Sequence, residues 1–332
     1  MKKLKNKIHV RIFVLLCFVT AIALSMILLQ QTIETKKEPY QLIFISKTID
    51  SRNDFWTALI DGAELAAEEL DVEIEVVGGS AEEDVDGQIR KIEESIDKKP
   101  DAILVAPCDY SKTSDVLQQV VDNGIPLILL DSVIDRDIAV SVVSTDNRLA
   151  GKELGEFTRN LLDHNSVIGI IGHVKGTSTA MEREEGIKEG LGDAAEKIAD
   201  IAYCDSSYEK AYSLTADMLT HYPDIDVLIG TNEYATVGAA RAVKDMELAG
   251  KVKMVGFDNS VEEIRLLEEG VLRGIVIQKP FNIGYLGVDQ AVKAITGKGA
   301  DKKVDSGSKL ITKENMYEEE NQRLLYPFSG QQ

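Results

Sequence analysis

The sequence predicts an α/β protein made of two doubly wound parallel-sheet lobes, preceded by one N-terminal apolar segment. Short runs that are apolar throughout alternate with segments whose apolar residues recur at helical spacing. That is the pattern of parallel strands buried on both faces beneath helices. The runs are too many for one compact sheet, and 332 residues suit two domains of about 150 residues each. The charge is also divided. Of a net -19, residues 1–40 hold seven Lys/Arg against two Glu, which leaves -24 for the rest. A basic head on an acidic body reads as a targeting segment joined to a folded domain.

The elements follow in order. Gln41–Ser46 is a short apolar strand, and Asp54–Leu70 is a helix with Phe55, Leu59, Ala63, Ala66 and Leu70 on one face. Val72–Val77 is a strand ended by Gly78-Gly79, and Val85–Ile96 a helix carrying Ile89, Ile92 and Ile96. Strand Ala102–Ala106 stops at Pro107, and helix Thr113–Val121 closes on Asn123-Gly124. Strands Pro126–Leu130 and Val140–Val143 end this set. The second set has helices at Leu149–Leu162, Ala180–Leu191, Tyr208–Leu219, Val237–Met246, Val261–Leu267 and Ile283–Ile295. Its strands are Val167–Ile171, Ile198–Tyr203, Val227–Ile229, Val252–Val255 and Gly274–Ile277. The segment after Thr312, with Glu318-Glu319-Glu320, is expected to be a solvated or partly ordered polar extension.

Composition excludes several classes. With 44% hydrophobic and 28% charged residues, 25 Gly and 7 Pro, the chain is neither collagenous nor wholly disordered. The acidic body argues against nucleic acid as a partner, because phosphate contacts need a basic surface. Ile12–Leu29 is apolar except for Thr20 and Ser25, and five positive charges precede it. This predicts export, through a retained transmembrane helix or a cleaved signal. Ala21-Ile22-Ala23 resembles a cleavage site, but the apolar run continues through Leu29. Cys17 follows Leu16 rather than a small residue, so lipidation is disfavoured and a buried apolar cysteine is expected. Residues 32–39 form a tether to an extracytoplasmic body.

Ligands of open parallel sheets bind beyond the carboxyl ends of the strands. Those ends carry Lys47, Asn53, Phe55, Trp56, Cys108, Asp109, Asp131, Ser132, Thr177, Met181, Arg183, Asp205, Ser206, Asn232, Asp258 and Gln278. Carboxylates accept from vicinal hydroxyls, amides both donate and accept, and an aromatic face covers the C–H face of a sugar ring. The set suits a neutral polyhydroxylated ligand. Plainer readings stand beside this one. Asn53-Asp54 could only cap a helix, Phe55 and Trp56 could be core residues, and Asp131 could bond to its own turn.

Catalytic and cofactor motifs are wanting. Gly172-His-Val-Lys-Gly176-Thr lacks the Gly-Lys-Ser/Thr ending of a phosphate loop, and Ser46-Lys-Thr-Ile-Asp contains no glycine for a dinucleotide fingerprint. His9, His164, His173 and His221 have no zinc spacing, and there is no Gly-x-Ser-x-Gly elbow. No enzyme activity, cofactor or metal is expected.

Several segments, taken in order and spacing, resemble the type I periplasmic sugar-binding proteins of the ribose/galactose/xylose group, whose fold is shared by the ligand domain of lactose-repressor-type regulators. They are Asn53-Asp-Phe-Trp-Thr-Ala-Leu-Ile-Asp-Gly62, Pro126-Leu-Ile-Leu-Leu-Asp131, Ser144-Thr-Asp-Asn147 with Gly151, Gly176-Thr-Ser-Thr-Ala-Met-Glu-Arg-Glu-Glu-Gly186, Asn232-Glu, Val255-Gly-Phe-Asp258 and Ile277-Gln278. The resemblance runs from about Tyr40 to Ile311. It implies lobes at 40–144 with 279–308 and at 145–278 with 309–318, a stub, helix and tether at 1–39, and a tail at 319–332. Hinge crossings would fall near Ser144, Gln278 and Lys309. Phe55 and Trp56 would sandwich a sugar ring, while Asn53, Asp131, Asn232, Asp258 and Gln278 would bond its hydroxyls.

Three departures from ribose binders matter. Ser132 and Met181 stand where those proteins carry arginines, and no aromatic stands near Ser206. Arg183 matches a residue the family usually keeps, one step further from the sugar. Loss of two forked donors argues against ribose in the usual pose and leaves another sugar, a polyol or a furanone-like signal open. Lys47 and Arg52 could supply replacement positive charge, but the plainer expectation is that both face solvent. Cys108 and Cys204, in different lobes of an exported protein, would lock the cleft if their Cα atoms came within about 7 Å. The implied function is solute binding for a carbohydrate ABC importer through its permease; the alternative is an anchored receptor that reports to a sensor histidine kinase. A transcriptional regulator would need a helix-turn-helix where residues 1–39 hold an apolar span.

Overall fold

The computed structural model describes residues 15, 16, 18–23, 25 and 38–326. Residues 40–332 form one compact unit and residues 1–39 another. In the N-terminal unit residues 15, 16, 18–23 and 25 are helical, with Leu15, Leu16, Phe18, Val19 and Ile22 exposed. Among the described residues no helix is long and apolar enough to cross a membrane. The rest of the apolar run expected over 12–29, Cys17 included, lies outside the described residues.

The body holds two six-stranded sheets. The first contains β1 (Gln41–Thr48), β2 (Glu73–Gly79), β3 (Ala102–Val105), β4 (Leu127–Leu130), β5 (Ser141–Ser144) and β11 (Lys303–Asp305), in the order β11-β5-β4-β3-β1-β2. The second contains β6 (Val167–Gly172), β7 (Ile198–Tyr203), β8 (Ile225–Gly230), β9 (Lys253–Phe257), β10 (Leu272–Ile277) and β12 (Lys309–Thr312), in the order β12-β10-β9-β8-β6-β7. All pairings are parallel except β10 with β12. Strand order reverses at β1/β3 in one sheet and at β6/β8 in the other, and a crevice opens beyond the strand ends at such points. The chain passes between sheets after Ser144, after Ile277 and between Asp305 and Lys309.

The helices are α1 (Asp54–Glu69), α2 (Val85–Asp97), α3 (Ser114–Asp122), α4 (Asn147–Leu161), α5 (Ser178–Leu191), α6 (Tyr208–His221), α7 (Glu233–Asp245), α8 (Val261–Glu269), α9 (Pro280–Ile295) and α10 (Glu319–Leu325). Each sheet is covered on both faces, which explains the unbroken apolar strands. Leu42 and Phe44 of β1 pack with Leu59, Ala63, Ile283 and Val288 of α1 and α9, while Ile43 and Ile45 pack with Ile92, Val116 and Leu117 on the opposite face. In the second lobe Ile168 and Ile170 pack with Leu154 and Ile187, while Ile171 joins Met218, Ala239 and Ile264.

Helix α1 carries the first site residues, and its seat is tightly fixed. A Cβ on Gly284 of α9 would lie 1.9 Å from the Leu59 carbonyl oxygen, and one on Gly62 2.1 Å from that of Phe281. The two backbones therefore touch, and only glycine permits it. The expected solvated extension is corrected in part: residues 319–325 are helical, with Asn321 and Leu325 buried and Leu324 packed against the second lobe's core.

Candidate ligand-binding site

The ends of β1, β4, β6, β8, β9 and β10, with the first turn of α1, meet between the lobes around a space of about 20 Å³. Asn53, Phe55, Trp56, Asp131, Arg183, Asn232, Asp258 and Gln278 line it, together with Lys47, Glu82, His173 and Thr179. That space holds about one water, and hydrogen bonds join the lobes across it, from Ser206 to Glu82 and from the Asp54 and Phe55 N–H groups to Glu233.

Asn53 both caps α1 and faces the cleft. Its Oδ1 accepts from the Trp56 backbone N–H at 3.0 Å, as its position before the helix demands. Phe55 and Trp56 are buried core residues as well as lining residues. Their rings meet edge to face, with centroids 5.1 Å apart and planes at 85°. They leave no slot between them, so the expected sandwich of a sugar ring between these two is not the geometry present.

Asp131 follows β4 with φ +62°, and Asp258 follows β9 with φ +79°. This left-handed backbone is costly for most residues but tolerated by Asp. The Asp131 carboxylate accepts from Lys47 Nζ and from Ser132 Oγ, each at 2.8 Å. The Lys47–Asp131 ion pair is buried, at 2% and 5% side-chain exposure, and the Lys47 ammonium lies 5.6 Å from the Trp56 ring centroid. Lys47 therefore does not face solvent and instead brings positive charge to the cleft lining. It is drawn in because a buried carboxylate needs a partner. Arg52 does lie in solvent, at 68% exposure beside Asp50.

Asp258 is held from two sides: Gln278 Nε2 donates to Oδ1 at 2.6 Å and the Glu233 backbone N–H to Oδ2 at 2.8 Å. Burial raises its pKa, against the pull of Arg183 and these hydrogen bonds. Gln278 Oε1 is buried with no partner among the described residues, an acceptor facing the cleft. Arg183 forms the back wall, donating to Asn147 Oδ1 at 2.8 Å and to the Thr231 carbonyl at 2.7 Å, stacked on Phe257 at 4.4 Å. His173 sits between Thr231 and Thr179, bonded at 2.8 and 2.9 Å. Burial, then Arg183 and Lys47, hold its pKa well below the usual 6.5, so the ring is neutral. Asn232 caps α7 through Oδ1 and donates from Nδ2 to Ser206 Oγ at 3.2 Å.

Two named residues stand elsewhere. Met181 is 38% exposed on the first turn of α5, outside the lining. Ser132 is buried, but its hydroxyl is directed at Asp131. Cys108 and Cys204 form no disulfide; both are free and buried, and burial pushes both thiols up to about 12. Cys204 is instead committed to the core of the second lobe. Reading from sequence passed over Glu82, His173, Thr179 and Glu233. Glu82 lies within Glu82-Glu83-Asp84, which looks like a solvated charge run. Glu233 looks like an ordinary acid in a helix's first turn.

A cleft between two doubly wound lobes, lined by amides, carboxylates and an aromatic wall, defines a solute-binding protein rather than a catalyst. The profile of the periplasmic binding protein domain family matches residues 44–299, and the chain belongs to that family. It is 28% identical over 280 residues to the D-ribose/D-allose-binding protein of Pseudomonas aeruginosa, covering 82% of this chain and 87% of that one. A crystal structure of a sugar transporter from Clostridium phytofermentans is similar at 48% identity and TM-score 0.79, covering 82% of this chain and 99% of that one. A solute-binding protein from Agrobacterium vitis with bound D-fucose superposes at TM-score 0.82 and 26% identity, covering 86% and 100%.

Proposed function

We infer that the chain is the extracytoplasmic solute-binding component of a carbohydrate ABC importer, and that it takes a neutral sugar or polyol into the interlobe cleft. The observation that carries the reading is the cleft's chemistry. Carboxylates and amides from both lobes converge, and Gln278 Oε1 is left as an unpaired buried acceptor, which a hydroxyl would satisfy. In this reading Asn53, Asp131, Asn232, Asp258 and Gln278 bond hydroxyls, Phe55 and Trp56 offer an aromatic wall, and Lys47 adds donors of its own. Arg183 holds the back wall, Ser132 orients Asp131, and Met181 has no direct part.

The lobes at 40–144 with 279–308 and at 145–278 with 309–318 hinge at the three crossings, and ligand stabilises the closed form. The names of the relatives, for ribose, allose and D-fucose, support a monosaccharide-sized solute. Residues 1–39 export the body, by a retained helix or a cleaved signal, and the permease is the partner. The alternative partner, a sensor histidine kinase, draws no support from these relatives.

Trp56 is the only tryptophan. Its fluorescence in residues 32–332, which include the whole compact body, is titrated with pentoses, hexoses, inositols and other polyols. A saturable change with one compound is expected. Silence across the panel from folded protein stripped of co-purified ligand overturns the sugar reading.

A further inference from the structure

Two buried carboxylates cross the cleft, one from each lobe. Glu82, on the turn after β2, accepts from Trp56 Nε1 at 2.6 Å within its own lobe and from Ser206 Oγ at 2.8 Å in the other. Ser206 in turn accepts from Asn232 Nδ2. Glu233, the first residue of α7 in the second lobe, reaches the opposite way. Its carboxylate accepts from the backbone N–H of Asp54 at 3.1 Å and of Phe55 at 3.3 Å, and from the Tyr208 hydroxyl. Both carboxylates are buried, at 4% and 3% exposure.

The second contact answers a need built into α1. A helix leaves its first N–H groups without intrahelical partners. The first intrahelical bond runs from the Thr57 N–H to the Asn53 carbonyl, and Asn53 Oδ1 accepts from the Trp56 N–H. The N–H groups of Asp54 and Phe55 are served from the other lobe, by the carboxyl oxygens of Glu233 at the N-terminal end of a 16-residue helix. A buried carboxylate is tolerated only where such donors meet it. When the lobes part, both carboxylates and both N–H groups must exchange these bonds for water.

We propose that Glu82 and Glu233 form a reciprocal interlobe clasp that favours the closed cleft before any solute enters and sets the orientation of Trp56 and Asn232. Both act as positioning residues. They brace the aromatic wall on one side and the amide on the other, and they add to the closed form a stabilisation that does not depend on which solute is bound. The proposal shares with the solute-binding reading only the premise that the lobes part.

The test uses residues 32–332 freed of small molecules, so a wrong ligand class leaves it untouched. Acrylamide quenching of Trp56 and small-angle scattering report closure, and circular dichroism melting reports folding. Ser206→Ala cuts the Glu82 bond across the cleft and leaves the Trp56–Glu82 bond in place. Glu233→Ala uncaps α1. Each is expected to shift the closed-to-open ratio roughly tenfold or more, seen as greater quenching and a larger radius of gyration with cooperative melting retained. Unchanged protection of Trp56 in a folded Ser206→Ala protein overturns the clasp, whether or not Glu233→Ala folds. A parent protein whose Trp56 is already freely quenched without ligand overturns it too.

Discussion

Removing Lys47 separates a buried ion pair from a merely crowded one. Its ammonium is 2.8 Å from Asp131 Oδ2, with both side chains at 5% exposure or less. At an effective dielectric of about 20 the gross attraction at that distance is about 6 kcal/mol, and most of it offsets the cost of taking two charges out of water. The measurable quantity is therefore asymmetric. In Lys47→Met the stem is replaced and the charge lost, and Asp131 keeps only the Ser132 hydroxyl. Stranding a buried carboxylate in this way costs about 3–5 kcal/mol, a fall in melting temperature on the order of 10 °C. The double variant Lys47→Met/Asp131→Asn removes both charges and keeps a residue that tolerates the left-handed backbone at 131. It is expected to recover most of the loss. The assay is thermal unfolding followed by circular dichroism, with Trp56 emission as a second readout, since Lys47 lies over that ring. A single-variant loss below about 1 kcal/mol, the range of an exposed pair, would refute the reasoning. So would a double variant no more stable than the single one.

Two further outcomes follow from packing and burial. Gly284→Ala places a methyl 1.9 Å from the Leu59 carbonyl and must push α1 off α9; urea unfolding should show a loss of about 1–3 kcal/mol or more, and a midpoint equal to the parent's would mean the helices yield freely. Burial, with Asp258 and Asp54 adding to it, raises Glu233 from 4.5 to about 8 despite the Tyr208 hydrogen bond, and burial also raises Glu263 and Asp258 beside it. The folded state then holds more protons than the unfolded one between these values, so this group's contribution is full below pH 4.5 and is lost as pH rises toward 8. Melting temperature against pH should decline less steeply over that window in Glu233→Gln than in the parent, and identical slopes would sink the assignment.

The fold was legible where burial is two-sided. Leu42, Ile43, Phe44 and Ile45 are all buried because helices cover both faces of β1, so the strand reads as a plain apolar run. β11 and β12 were not legible. Lys303–Asp305 and Lys309–Thr312 are three and four residues long, lie at sheet edges and, Ile311 apart, are exposed or half-buried, so little apolar signal remains. The helix at 319–325 was hidden by its acidic start, although Leu324 and Leu325 anchor it.

The site was legible through residues whose type fits both of the jobs they do. Asn53 and Asn232 are helix caps and Asp131 and Asp258 are strand-end turns; each has a local reason to stand where it does and still faces the cleft. Lys47, Glu82 and Glu233 have no such local signature, because each is explained only by a partner far along the chain. Asp131 is 84 residues from Lys47, Ser206 is 124 from Glu82, and Asp54 is 179 from Glu233. Spacing rules reach about one helical turn or one strand pair and cannot see these. The consequence bears on specificity. The two arginines that ribose binders would place at Ser132 and Met181 are absent, and positive charge enters from β1 as Lys47, a point charge on a flexible stem. A donor of that kind, already held by Asp131, imposes less geometry on its acceptor than a planar fork does. In the proposed reading, with Arg183 held by Asn147 and the Thr231 carbonyl, Trp56, braced by Glu82, and the carboxylates set the shape of the accepted solute.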